Sequence, residues 1–104
     1  MGLLSKAVEK NGGGVRSFIE NYSNITESFN IIFIKADAEA VNGMVSHLGK
    51  VMKIGKGNSL VLIPPDLDRQ LLAHRISNSL DAPVLYQSAA DSGDEAFKAI
   101  VPFL

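Results

Sequence analysis

Cysteine and tryptophan are both missing from this 104-residue chain. Without thiols there are no disulfides, no thiolate nucleophile and none of the usual structural zinc ligand sets. A dominant charge is missing too: ten Lys and Arg against eleven Asp and Glu leave a net charge of −1. That balance creates no field to gather polyanions, so no nucleic acid is expected as a partner. Apolar runs long enough to span a bilayer are lacking. Met1 to Lys10 has neither the apolar stretch nor the small-residue cleavage site of a signal peptide. Lys6 stands where a myristoylation signal at Gly2 wants Ser or Thr. No membrane partner is therefore expected, and a cytoplasmic location follows by elimination.

What is present is ordinary globular material, 46% hydrophobic and 20% charged, at a length suited to one core. Leu3, Leu4, Ala7 and Val8 have the spacing of a short amphipathic helix, which Asn11-Gly12-Gly13-Gly14 then ends. The expected organisation is an N-terminal amphipathic segment with a glycine hinge over 1–14, followed by a single α/β domain over 15–104. Val15, Phe18, Ile19 and Tyr22 recur as the stripe of a core-facing helix. Ile31 to Ile34 is a continuous β-branched and aromatic run, the signature of a strand covered on both faces.

Asp37 is a candidate cap for a helix carrying Ala40, Val41, Met44, Val45 and Leu48 up to Gly49. Val51 to Ile54 reads either as the end of that helix or as a strand turning through Gly55 to Asn58. The hairpin is favoured, because Gly49 is a helix stop and the stretch alternates. Ser59 to Ile63 is a second apolar strand, stopped by Pro64-Pro65, with Asp66 as cap for a helix that buries Leu67, Leu71, Leu72, Ile76 and Leu80. A short strand over Val84 to Tyr86 and a last helix from Gly93, ended or bent by Pro102, complete the chain. Strands alternating with helices predict a small three- to four-stranded, mainly parallel sheet flanked by helices.

On that expectation Asp37 and Glu39, Asp66 and Asp68, and Asp91, Asp94 and Glu95 gather at the C-terminal edge of the sheet, where open α/β folds place ligands. Asp37, Asp66 and Asp91 are the candidate metal ligands there, for a divalent cation held by oxygen. Helix capping accounts for all of these acids without a metal, so no metal and no cofactor is assigned. Gly55-Lys56-Gly57-Asn58-Ser59 lacks the spacing of a phosphate loop and precedes a strand, so it reads as a turn. His47 and His74 each fall on a helix, where neighbouring residues point about 100° apart, and neither forms a nucleophile and base pair by sequence alone. Nothing nominates a catalytic residue.

The function expected is therefore a non-catalytic protein-interaction or regulatory module. Its partner is protein, self or other, with a homodimer formed through an edge strand or a helix face. Leu3, Leu4, Ala7 and Val8 are the candidate partner-binding residues. The alternative is a signalling domain that responds to a small molecule or divalent cation at the acidic sheet edge. An enzyme remains only if two chains pair to supply the catalytic groups.

Overall fold

The structure is a computed structural model that describes residues 2–104, with side chains described from Gly14 onward. The elements run α1 (Gly2–Thr26), β1 (Phe29–Ile34), α2 (Ala38–Val45), β2 (Lys50–Lys53), β3 (Ser59–Ile63), α3 (Arg69–Leu80), β4 (Val84–Ala90) and α4 (Gly93–Ile100), with a 3-10 turn over Val101–Phe103. Of the stretch at 51–54, Val51 to Lys53 are strand within β2, which is joined to β3 by a turn in which Gly55 and Gly57 take φ of 62° and 79°. Those left-handed conformations suit glycine.

The four strands lie in the order β2-β3-β1-β4, and every neighbouring pair is antiparallel. The mainly parallel sheet expected from the alternation of elements is thus overturned. β1 and β2 do run in the same direction, as do β3 and β4, because each shares an antiparallel neighbour with the other. A third strand splits each of these pairs, giving the β-α-β-β-α-β arrangement. The physical reason lies in the β2–β3 hairpin. β3 (SLVLI) is apolar from Leu60 to Ile63 and is buried at every position, whereas β2 (KVMK) carries exposed Lys50 and Lys53 at its ends. Only β3 can take the inner place beside β1.

Both central strands are buried on both faces, which is what their unalternating apolar sequences require. On one face Phe29, Ile31, Phe33, Leu60 and Leu62 meet Val15, Ile19 and Tyr22 of α1 and Ala96 and Ile100 of α4. On the other, Ile32, Ile34, Val61 and Ile63 meet Val41 and Val45 of α2 and Ala73 and Ile76 of α3. The result is a three-layer α/β/α fold. Arg16 pairs within α1 with Glu20 (2.8 Å) and ties that helix to α4 through Asp94 (3.1 Å), with its guanidinium 5.6 Å from the Phe97 ring centre.

Helix boundaries depart from expectation in two places. The helix end expected at Asn11-Gly12-Gly13-Gly14 is overturned, because α1 runs unbroken through those residues to Thr26. Asp68, not Asp66, caps α3, accepting from the backbone N–H groups of Gln70 and Leu71. The helix therefore begins after Leu67, and the side of α3 facing the sheet is centred on Ala73 and Ile76 while Leu71 is exposed.

Candidate interaction surface

A four-stranded open sheet has two edges, and the two here are built differently. β2 is four residues long and ends in a lysine on either side, a charged and short edge of the kind that resists pairing with another chain. β4 is seven residues long, Val-Leu-Tyr-Gln-Ser-Ala-Ala, with no charge, no proline and no glycine. Its burial alternates, with Leu85, Gln87 and Ala89 the more exposed set.

Two backbone hydrogen bonds fix which way the β4 peptide groups point. Beyond the end of β1, the Lys35 N–H donates to the Pro83 carbonyl at 3.0 Å. Lys35, Phe33 and Ile31 lie on the same side of β1 by the twofold period of a strand, so their peptide groups face β4. The opposite edge of the sheet agrees: Ile54 N–H donates to Asn58 O at 3.0 Å, which turns Leu60 and Leu62 toward β2. Ser59, Val61 and Ile63 then turn toward Asn30, Ile32 and Ile34 of β1, their register partners. Phe33 pairs with Tyr86, Ile31 with Ser88 and Phe29 with Ala90. Tyr86, Ser88 and Ala90 therefore direct their N–H and C=O inward, and Gln87 and Ala89 direct theirs out of the sheet. Among the described residues, no backbone group of another element pairs with that outer side. Ser88 Oγ donates to the Ala89 carbonyl at 3.1 Å, a local bond at the surface.

A register shift between Phe33 and Ile34 places an extra residue, Leu85, near the start of β4, leaving Tyr86 to Ala90 as its regular part. Apolar side chains flank this part. Phe103, 40% exposed, lies with its ring centre 5.3 Å from that of Tyr86 and 5.2 Å from that of Phe33. Leu85 is 37% exposed.

The residues singled out from sequence are distributed differently. The side chains of Leu3, Leu4, Ala7 and Val8 lie outside the described residues, and the expected glycine hinge is continuous helix backbone within α1. Asp37 and Glu39 follow β1, whereas Asp66, Asp68, Asp91, Asp94 and Glu95 follow β3 and β4, which run the other way. Asp37 is thus at the opposite end of the sheet from Asp66 and Asp91, and the common edge expected of a parallel sheet does not exist. Among the described residues, no three His, Asp or Glu side chains come together as a metal site. Capping explains several of these acids: Asp68 caps α3, and Glu95 accepts from the Asp91 N–H while Ser92 caps α4. Asp37 occupies the N-cap of α2 without a side-chain bond.

His47 and His74 are exposed, and His74 Nε2 lies 3.0 Å from Asn78 Nδ2 one turn on. Shallow apolar grooves of about 140 Å³ each lie beside Leu48, Leu67, Leu71 and Leu72, and beside Phe18, Tyr22, Ile25 and Lys50. Both are smaller than the roughly 300 Å³ at which small-molecule sites begin. The β4 edge escaped sequence reading because only Val84 to Tyr86 has strand-like composition. Gln87 to Ala90 joins the strand through pairing with β1.

Comparison with family models, with curated proteins and with solved structures finds no match. Among the described residues no helix is long and apolar enough to cross a membrane.

Proposed function

We propose that this chain is a non-catalytic protein-interaction module whose binding element is the outer side of β4. The observation that carries this reading is the contrast between the edges: β2 is short and bounded by lysines, while β4 is longer and uncharged, with the peptide groups of Gln87 and Ala89 directed outward. An edge of that kind takes up an extended strand, in which backbone hydrogen bonds supply affinity and alternate side chains supply selectivity. Exposed Phe103 beside the strand and Leu85 near its start offer apolar area to such a partner.

The test is titration of a fluorescently labelled peptide of residues 83–91 into the protein, followed by anisotropy. Binding is expected for the unaltered chain and lost in Ala89→Pro, which removes one outward N–H. A proline is tolerated on an edge strand where the missing N–H faces solvent, so circular dichroism of this variant should remain that of the folded protein. Equal binding by the folded proline variant would overturn the reading.

A further inference from the structure

We infer that the strand seated on β4 is β4 of a second copy, antiparallel, with the twofold axis passing through Ser88, so that two sheets join into one of eight strands. This rests on the reading of β4 as the binding edge and adds to it the partner and the register. Residues whose peptide groups point outward must pair with each other, and in the regular part of β4 these are Gln87 and Ala89. Placing the axis at Ser88 sets Gln87 of each copy opposite Ala89 of the other. All four outward peptide groups of each copy, the N–H and C=O of Gln87 and of Ala89, are then paired.

Side-chain size agrees with this register. Directly opposed residues share a face and come closest in the non-hydrogen-bonded positions. Ser88 would lie against Ser88 of the second copy, Tyr86 against Ala90, and Gln87 against Ala89, so each long side chain meets a short one and the axis carries a small one. Charge agrees as well. A twofold pairing sets a strand against its own charges, so a lysine-bounded edge such as β2 repels its copy. β4 holds no charge, and Asp91, just beyond it, would face Leu85 rather than another acid. Large flanking groups are no obstacle on the α2/α3 side, where Gln87 and Ala89 are exposed.

The absence of cysteine makes the register directly readable. In a non-hydrogen-bonded antiparallel pair the two Cα atoms stand about 4.5 Å apart, within the span a disulfide bridges. Ser88→Cys should therefore give a covalent dimer under mild oxidation. Gln87→Cys should not, since each Gln87 faces Ala89 and lies diagonally from its own copy. Sedimentation of the unaltered chain should report twice the chain mass, and Ala89→Pro should sediment as a folded monomer.

Cross-linking of Gln87→Cys but not Ser88→Cys would overturn the register. A monomeric chain that still binds the 83–91 peptide would overturn the second copy as partner while leaving β4 as the binding edge. A dimer that persists in folded Ala89→Pro, with neither cysteine variant cross-linking, would place the interface elsewhere and remove both conclusions.

Discussion

The side-chain amide of Asn30 donates to the carbonyl oxygen of Leu67 at 2.8 Å, joining the middle layer of the fold to the start of α3. Asn30 sits in β1 and is 4% exposed, one of few polar residues in the core. Its face is the α2/α3 side, and its amide also lies 3.4 and 3.5 Å from the carbonyls of Pro64 and Pro65. The loop that leaves β3 is thereby held against β1, and Asp68 is set where it caps α3. Asn30→Ala should cost about 1–3 kcal/mol, the penalty for leaving a buried carbonyl without its donor. Urea unfolding with an unchanged m-value would measure it, and a loss within error would mean that water replaces the amide.

Ile76 and Leu71 lie on the same helix and should respond oppositely to truncation. Ile76 is fully buried against the sheet, whereas Leu71 is 50% exposed. Ile76→Ala is expected to lose about 2–5 kcal/mol and Leu71→Ala no more than about 0.5 kcal/mol. Comparable losses would show that α3 is rotated relative to the sheet.

The cap of α3 makes a similar contrast between two acids. Asp68→Ala should lose about 1 kcal/mol and Asp68→Asn almost nothing, because the amide oxygen accepts the same two backbone bonds. Asp66→Ala, which breaks no cap, should stay within about 0.5 kcal/mol. A larger loss at Asp66 than at Asp68 in thermal melts would reverse the assignment.

Tyr22 supplies a pH dependence. Burial raises its hydroxyl above the ordinary tyrosine range, and the nearby Asp66 carboxylate adds to the effect. The folded state thus favours the neutral phenol. Its contribution is complete below the unfolded value, about 10, and is lost as pH rises through the higher folded value. Alkaline unfolding should therefore begin later in Tyr22→Phe than in the unaltered chain. Asp66→Asn should lower the Tyr22 titration followed by phenolate absorbance, with Tyr22→Phe isolating that signal from Tyr86. An unmoved titration would remove Asp66 as a cause.

Much of the fold was legible in short-range pattern. Ile31 to Ile34 and Ser59 to Ile63 announce strands covered on both faces because nothing polar interrupts them, and the structure buries every one of those residues. The Val15, Ile19 and Tyr22 stripe is the core face of α1. Gly49 was readable as a helix stop, but not for its second role: a Cβ there would collide with the Leu62 carbonyl and stand 2.7 Å from Ile63 Cγ2, so the glycine also lets the α2–β2 connection pass close to β3. The Leu67 to Leu80 stripe misleads at its start, because the cap falls at Asp68 and moves the start of the helix past Leu67.

The sequence by itself determined the kinds of elements, most of their places and the burial of both faces of the central strands, since each depends on residues a few positions apart. Strand order and direction came only from tertiary structure. Alternating strands and helices suit a parallel sheet and a split antiparallel one equally. The choice fell to long-range competition for the place beside β1, which apolar β3 fills and lysine-bounded β2 cannot. That choice sent Asp37 to the opposite end of the sheet from Asp66 and Asp91, and it left β4 at the edge with Gln87 and Ala89 facing outward. A peptide group carries no mark in the sequence of which neighbour it will face, because every residue has the same backbone donor and acceptor and pairing alone tells them apart.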